Sequence, residues 1–230
     1  GYDVDGCFTE YLAYPEQNLW HNDPNLPPDQ AACQDPLGNA VHTVFSADCT
    51  GANVAVFGLG PVGLMAIAVL KAIGARQVIA VDLDNAYRMD IARRVGADHV
   101  IAASEEDPIA AIRTLTQGRG VDVSMEVAGT APAIQAALKS VRAAGQVILL
   151  GIPGKEVPVD IATDIVFSAV SVRGVTGRRI WDTWYRMAGL FKSRGFDIAP
   201  IITHRLPFDA YEEGFQLMSA GQCGKVILEF

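Results

Sequence analysis

The stretch 53–63, Asn-Val-Ala-Val-Phe-Gly-Leu-Gly-Pro-Val-Gly, places three glycines between two apolar runs. The first run, Val54–Phe57, has the β-branched and aromatic composition of a buried strand. The spacing G-x-G-x-x-G after such a strand predicts a tight turn that leads into a helix. In such a turn Gly58 permits the tight bend, Gly60 lets a pyrophosphate approach the backbone, and Gly63 lets the helix pack on the strand.

The same alternation of strand and helix continues downstream of this turn. The predicted strands are Val54–Phe57, Val78–Val81, His99–Ile101, Val121–Val127, Gln146–Leu150 and Val170–Val175. The predicted helices between them are Pro61–Ile73, Asn85–Val95, one opened by Asp107 and Pro108, and Thr130–Val141. Short strands that are apolar on both faces are typical of a parallel sheet covered by helices on both sides. The pattern therefore predicts an α/β fold with a doubly wound parallel sheet, the Rossmann fold.

The two ends of the chain do not follow this alternation. The segment Gly1–Pro28 is predicted to be a strand and a loop, and a helix is predicted from Asp29 or Pro36 to Ala47. After Gly177 the predicted elements are a helix, a strand, a helix and a strand: Trp181–Lys192, Ile201–Arg205, Ala210–Ser219 and Lys225–Glu229. We interpret both ends as fragments of a second domain. The expected division is 1–36, then 37–178 for the Rossmann domain, then 179–230.

An acidic residue follows the second predicted strand. Asp82 lies 19 residues beyond Gly63, where a carboxylate accepts hydrogen bonds from the ribose hydroxyls of a bound dinucleotide. A fixed negative charge at this position repels a 2′-phosphate, so NAD is favoured over NADP as the cofactor. Arg88, on the following predicted helix, would cover the adenine or the ribose, or it is an ordinary exposed arginine.

Composition argues against several classes of partner. Half of the 230 residues are hydrophobic and the net charge is −8, so nucleic acid and anionic lipid surfaces are poor partners. Val54–Leu70 has no charged residue, but its glycines and proline favour a strand, a turn and a helix over a membrane span. Four widely spaced cysteines, at positions 7, 33, 49 and 223, are typical of reduced thiols in the cytoplasm.

The sequence lacks the common metal and nucleophile motifs. The four histidines, at 21, 42, 99 and 204, are not paired at i+3 or i+4, and no cysteine–histidine cluster has the spacing of a zinc site. No G-x-S-x-G motif is present. We therefore predict no metal ligands within these 230 residues.

Several short segments together resemble one family, the zinc-dependent L-threonine 3-dehydrogenases of the medium-chain dehydrogenase/reductase group. The segments are Gln34–Thr43 (QDPLGNAVHT), Gly177–Arg179 with Thr183–Tyr185, Pro200–Arg205 (PIITHR), Gly221–Val226 (GQCGKV) and Asp3–Tyr11. The resemblance covers the whole chain. It is most specific in the strings Gly-Asn-Ala-Val-His-Thr and Ile-Ile-Thr-His-Arg, which favour threonine over sorbitol, butanediol or simple alcohols.

The resemblance implies a reaction. NAD⁺ would take the hydride from C3 of L-threonine to give 2-amino-3-oxobutanoate, and a catalytic zinc would stabilise the alkoxide. In the family the zinc ligands and a four-cysteine zinc loop lie in a GroES-like catalytic domain, upstream of the part that matches Gly1. The expectation is therefore that the chain lacks most of that domain, is inactive alone, and needs the missing region for zinc. The family also implies a homotetramer.

The resemblance also implies roles for individual residues. Val62, Asp82 and Arg88 would hold the adenosine half of NAD, although the stretch from Asp82 to Arg88 is one residue longer than usual. The nicotinamide end would be lined by Leu150, Gly151, Ile152, Val175 and Thr176.

Asp35 would take part in catalysis, because the matching acidic residue of the family lies beside the zinc. From the sequence alone, Asp35 would instead cap the helix that Pro36 starts.

Three alternatives stay open at this point. The first is another zinc-dependent alcohol or polyol dehydrogenase. The second is a methyltransferase, which also has glycines after its first strand and an acid after its second. The third is a module that binds NAD without activity of its own.

Overall fold

A computed structural model describes residues 4–230. The helices are α1 Pro28–Ala31, α2 Gln34–Val44, α3 Pro61–Ala72, α4 Ala86–Arg94, α5 Pro108–Leu115, α6 Ala131–Ser140, α7 Asp182–Lys192 and α8 Tyr211–Ser219. The strands are β1 Asn53–Phe57, β2 Gln77–Asp82, β3 His99–Ala102, β4 Val121–Glu126, β5 Val141–Leu149, β6 Ser171–Gly174, β7 Ile202–Pro207 and β8 Lys225–Glu229.

Six strands form one parallel sheet in the order β3-β2-β1-β4-β5-β6. The order reverses between β1 and β4, which are neighbours in the sheet although two strands separate them in the chain. A doubly wound sheet opens a crevice at the carboxyl ends of its strands at such a reversal. The Rossmann prediction is therefore confirmed, and the glycine turn that follows β1 lies at this crevice.

Helices cover the sheet on both faces. Leu37 of α2, Leu64 of α3, Ile91 of α4 and Met187 of α7 belong to one buried cluster. A second cluster contains Ile112 of α5 with Ile134, Ala137 and Leu138 of α6. Because each face of the sheet has its own core, the central strands β1 and β2 are almost completely buried, as their apolar sequences predict.

The outer strand β6 differs from the prediction. All four of its residues are exposed, so the expectation of strands that are apolar on both faces is wrong there. The reason is its place at the edge of the sheet, where only β5 pairs with it. Strand β5 also begins at Val141, five residues earlier than predicted, because Val141 pairs with Val121 before an irregularity in the register. Helix α6 consequently ends at Ser140.

The N-terminal prediction is only partly confirmed. The described part of Gly1–Pro28 contains a short helical turn, Glu16–Asn18, and no strand, so the predicted strand is wrong for residues 4–27; residues 1–3 lie outside the described residues. The apolar side chains of Val4, Phe8 and Tyr11 are exposed. A strand needs a neighbour to pair with its backbone, and none is present beside these residues in the described chain.

The predicted helix from Asp29 or Pro36 is two helices, α1 and α2. Helix α2 begins at Gln34, before Pro36, and its N-cap residue is Cys33. A proline is tolerated in the first turn because an N–H at that point has no partner within the helix. Asp35 therefore lies inside the first turn, and its interpretation as the helix cap is wrong.

The C-terminal strands form a sheet of their own. Strands β7 and β8 pair in parallel, and Arg205 of β7 forms an ion pair with Asp29 of α1. The first and last segments of the described chain therefore contact each other, while the division at residues 36 and 178 stays a proposal. In residues 4–230 no helix combines the length and the apolar character that crossing a bilayer requires.

Candidate dinucleotide-binding site

The glycine turn after β1 has the geometry that its three glycines predict. Gly58 has a φ of +101°, and a Cβ there would lie 2.9 Å from the Cβ of Ala128. A Cβ on Gly63 would overlap the carbonyl oxygen of Gly58, so the helix packs directly on the turn. A Cβ on Gly60 would meet nothing within 4 Å. Gly60 is therefore the position where the backbone is open to an approaching ligand.

The start of α3 provides N–H donors beside Gly60. Gly60 is the N-cap of α3, and no side chain caps this end. The first N–H groups of a helix have no partner within it and carry the positive end of the helix dipole. Val62, half-buried in this first turn, presents such a group. Open backbone and free N–H groups together suit a phosphate.

Asp82 is held at the edge of the glycine turn. Its Oδ2 accepts a hydrogen bond from the N–H of Leu59 at 3.1 Å, and its Oδ1 accepts one from the N–H of Leu83 at 2.9 Å. Each carboxylate oxygen accepts more than one hydrogen bond, so capacity remains for a pair of ribose hydroxyls. The arrangement fixes one negative charge where β2 ends.

A cavity of about 660 Å³ opens beside Asp82, at the carboxyl ends of β1, β2 and β4. Its lining includes Gly58 and Asp82, and its other walls are mostly apolar: Val81, Leu83, Ala103, Pro108, Ile109, Ala128, Pro132 and Ala133. An apolar slot next to a carboxylate is suited to a flat aromatic base that carries hydroxyl groups beside it. Sequence reasoning missed these walls because they come from four separate segments, although each segment lies at the end of a strand or at the start of a helix.

Arg88 does not line this cavity. Its Nε donates to the carbonyl oxygen of Cys223 at 3.4 Å, and its backbone N–H donates to Asn85 at 3.0 Å. The side chain therefore lies against the loop before β8, and the structure does not bring it together with Asp82.

The residues expected at the nicotinamide end follow β5 and β6. The N–H groups of Leu150 and Gly151 donate to the carbonyl oxygen of Glu126 at 2.9 and 3.2 Å, and Val175 donates to Leu149 at 2.8 Å. Ile152 is 86% exposed and Thr176 is also exposed, whereas Val175 is buried. The two loops thus lie beside each other at the same end of the sheet as the glycine turn.

Asp35 contacts the loop that follows Thr176. It forms an ion pair with Arg178, whose Nη1 also donates to Asn39 at 3.3 Å. One helical turn further along α2, the Nδ1 of His42 lies 3.0 Å from the carbonyl oxygen of Gly177. Asp35, Asn39 and His42 are spaced i, i+4, i+7, so one face of α2 holds this loop.

A zinc ion needs several ligating side chains that lie close together. In residues 4–230 no group of three or more histidine, cysteine, aspartate or glutamate side chains is placed to hold a metal. Burial raises the pKa of the Cys33 thiol to about 11 and that of Cys49 to about 12, which disfavours the thiolate that zinc requires. This part of the chain does not fit a zinc site.

The fold and this site define a dehydrogenase of the Rossmann type, and the chain belongs to the family of zinc-binding dehydrogenases. The family's model matches residues 61–193, which is more than half of the chain. Within that family the chain is similar to L-threonine 3-dehydrogenases. It is 47% identical to that of Bacillus licheniformis and 47% identical to that of Pyrococcus furiosus, in both cases over 99% of its length. It spans 66% and 65% of those two proteins.

Solved structures agree with this fold. A zinc-binding dehydrogenase of Sinorhizobium meliloti 1021, bound to NADP, superposes with a TM-score of 0.87 at 28% identity, over 97% of this chain and 66% of that chain. The 2R,3R-butanediol dehydrogenase of Bacillus subtilis superposes with a TM-score of 0.82 at 31% identity, over 90% of this chain and 59% of that chain. The recognition of the family from the sequence is therefore confirmed.

Proposed function

We propose that this chain is the NAD-binding part of an L-threonine 3-dehydrogenase, which oxidises C3 of L-threonine to 2-amino-3-oxobutanoate. The observation that carries the cofactor assignment is the open Gly60 backbone beside the fixed carboxylate of Asp82. The similarity to curated L-threonine 3-dehydrogenases over 99% of the chain supports the substrate assignment. A tetramer and a cytoplasmic location belong to the same proposal; the tetramer rests on the family resemblance and the location on the four widely spaced cysteines.

The chain's own residues would bind and orient the dinucleotide. Asp82 would accept hydrogen bonds from the adenosine ribose, and the N-terminus of α3 would bind the pyrophosphate beside Gly60. The loops 150–152 and 175–176 would hold the nicotinamide ring, which accepts the hydride when NAD⁺ is bound. Because Asp82 carries a negative charge, NAD⁺ is the proposed cofactor even though one structural relative binds NADP.

Asp35 is proposed to act in proton transfer at the nicotinamide end. It lies two residues into α2 and pairs with Arg178, which directly follows the loop of Val175 and Thr176 in the chain. The pair restrains the carboxylate on the side of α2 that faces this loop. A positioned carboxylate within reach of the reacting hydroxyl is a suitable general base.

Two experiments test the proposed function. The chain alone, given L-threonine, NAD⁺ and Zn²⁺, is expected to form no NADH, because the described residues do not fit a zinc site. A fusion of the chain to the upstream third of the Bacillus licheniformis relative is expected to form NADH with L-threonine faster than with 2,3-butanediol, sorbitol or ethanol. Faster NADH formation with a diol or a polyol would show that threonine is not the substrate. It would favour the alternative of another zinc-dependent alcohol or polyol dehydrogenase.

The fusion also tests Asp35. Asp35→Asn keeps an oxygen for Arg178, but an amide cannot accept a proton as a general base. We therefore expect kcat to fall by about 10²-fold while NADH affinity stays the same. Asp29→Asn is the matched control, since Asp29 of α1 also pairs with an arginine, but with Arg205 of β7 and not with the loop that follows Thr176. An unchanged kcat in Asp35→Asn would leave Asp35 with only its ion pair.

A further inference from the structure

Glu126 is a buried carboxyl group that the proposed function does not use. It ends β4, the strand next to β1 at the reversal of the sheet, and its side chain is 0% exposed. Its Oε1 accepts hydrogen bonds from the N–H groups of Ala128 at 2.8 Å and Gly129 at 2.7 Å. Its Oε2 is buried and has no hydrogen-bond partner in the described chain. A buried acidic group with one free oxygen is unfavourable for stability, so the position calls for a reason.

Glu126 lies where two loops cross. The loop after β4 contains Ala128 and Gly129, and the loop after β5 contains Gly151 and Ile152. A Cβ on Gly151 would overlap the backbone nitrogen of Gly129 and lie 2.6 Å from Oε2 of Glu126. A Cβ on Gly129 would lie 2.8 Å from the carbonyl oxygen of Ile152. The two backbones therefore touch, and the Glu126 side chain contacts both loops.

The main chain of Glu126 takes part in the same junction. Its carbonyl oxygen accepts the N–H groups of Leu150 and Gly151, at 2.9 and 3.2 Å. One residue thus binds the loop after β4 with its side chain and the loop after β5 with its backbone. Burial raises the pKa of the Glu126 carboxyl above its ordinary value, against the hydrogen bonds from Gly129 and Ala128 that lower it. The neutral carboxylic acid is therefore favoured relative to an exposed glutamate.

We propose that Glu126 is a positioning residue for the nicotinamide half of the bound dinucleotide, because its carboxyl group braces the crossing of these two loops. The inference rests on the proposed function, which assigns Gly151 and Ile152 to that half. Adjacent strands are about 4.8 Å apart, so β2 with Asp82 and β5 with Gly151 are separated by roughly 14 Å across three strand spacings. Glu126 therefore acts on the end of the site that is remote from Asp82.

The test compares NADH with AMP, which has only the adenosine half. Glu126→Gln keeps the length of the side chain and an oxygen for Ala128 and Gly129, and it mimics the neutral acid. Glu126→Asp keeps the acid but withdraws it by one methylene. We expect Glu126→Gln to bind NADH within about threefold of the unchanged chain, and Glu126→Asp to bind it about tenfold more weakly, with AMP affinity changed less than about threefold in both.

The outcomes separate the two levels of the proposal. If the unchanged 230-residue chain binds neither NADH nor AMP, the proposed function fails. If the unchanged chain binds both ligands, two results for Glu126→Asp would show that the positioning role is wrong: full NADH affinity, or equal losses of NADH and AMP affinity. A loss of NADH affinity in Glu126→Gln as large as that in Glu126→Asp would also contradict the role. Glu126→Met keeps the approximate length of the side chain but offers no acceptor to the N–H groups of Ala128 and Gly129, so it replaces Glu126→Asp if that variant does not fold. It must give the same selective loss of NADH.

Discussion

Asp82 is the residue on which the proposed preference for NAD rests. Its two oxygens are already fixed by the N–H groups of Leu59 and Leu83, so the carboxylate cannot turn away from an added phosphate without losing both bonds. Hydrogen bonds to a charged acceptor contribute about 1.5–3 kcal/mol each. We therefore expect Asp82→Ala to weaken NADH binding by about tenfold or more. The dissociation constants for NADH and NADPH, measured by fluorescence titration, should also become more similar.

Asp84→Ala is the control for that experiment. Asp84 is exposed, two residues further on, and does not line the cavity, so its removal makes the same change of net charge without the contacts. Asp84→Ala could reduce the difference between the NADH and NADPH dissociation constants as much as Asp82→Ala does. In that case the preference comes from the general charge of the surface and not from Asp82.

Gly60 and Gly63 make a matched pair, because the structure gives them opposite surroundings. A Cβ on Gly60 meets open space, and its φ of −65° suits any residue, so Gly60→Ala should change stability by less than about 1 kcal/mol. It should still weaken NADH binding, since the methyl group would occupy space that the pyrophosphate needs beside the backbone. Gly63→Ala should lower the free energy of unfolding by about 2 kcal/mol or more, because its Cβ overlaps the Gly58 carbonyl.

Urea unfolding and NADH titration of both variants check this pair. An alanine at position 60 that leaves NADH affinity unchanged would mean that the dinucleotide does not pass over this turn. An alanine at position 63 without loss of stability would contradict the close packing of α3 on β1.

Without the family resemblance, the sequence predicts the surroundings of a single residue only where a local motif defines them. The glycines and Asp82 belong to one strand–turn–helix–strand unit, so their spacing is enough. The contacts of Asp35 with Arg178, of Arg88 with Cys223 and of Glu126 with the loop of Gly151 join distant parts of the chain. No local pattern encodes such pairs. The buried carboxyl of Glu126 was missed, although an acidic residue near the end of a strand that was predicted to be buried was an available signal.

At the scale of the elements, the sheet is braced at the end opposite the site. Asp122, near the start of β4, accepts hydrogen bonds from the N–H of Asn53 of β1 at 2.9 Å and from Nε of Arg142 of β5 at 2.7 Å. Burial alone would raise the pKa of this carboxyl, but the hydrogen bonds from Arg142 and Asn53 outweigh it and lower the pKa. Three neighbouring strands therefore depend on one charged group.

This brace predicts a pH-dependent loss of stability in Asp122→Asn. A lowered pKa in the folded chain stabilises it above the unfolded value of about 3.9, and the benefit is lost as the pH falls through the folded pKa. At pH 7 we expect Asp122→Asn to lower the free energy of unfolding by about 1 kcal/mol, with the difference shrinking in acid. Urea unfolding from pH 3 to pH 7 measures this. An equal difference across that range would refute the assignment, and NADH affinity should not change.

The errors in element boundaries have a common cause. Strand β5 starts early because Val141 finds Val121 as a partner, and α2 starts before Pro36 because a first-turn proline needs no N–H partner. The N-terminal strand is absent from residues 4–27 because no described strand lies beside it. Strands depend on neighbours that are distant in sequence, whereas helices such as α5, opened by Asp107 and Pro108, carry their own start signals.

The whole molecule is a six-stranded parallel sheet with a core on each face and a small C-terminal sheet that contacts the N-terminal segment. The alternation of strands and helices made the large sheet predictable. The strand order β3-β2-β1-β4-β5-β6 was not predicted, because it depends on pairing between parts of the chain that are distant in sequence; the structure places the glycine turn at the reversal between β1 and β4. The crevice at this reversal collects Gly60, Asp82 and the loops after β4 and β5, which is the arrangement that a dinucleotide needs.

Binding of a dinucleotide at the reversal of the sheet is best tested by calorimetric titration of NADH into the 230-residue chain, with S-adenosylmethionine titrated in parallel and folding checked by circular dichroism. We expect a single saturable site for NADH, about tenfold or more weaker binding of NADPH, and no binding of S-adenosylmethionine. A folded chain that does not bind NADH, or that binds S-adenosylmethionine in its place, would contradict this expectation.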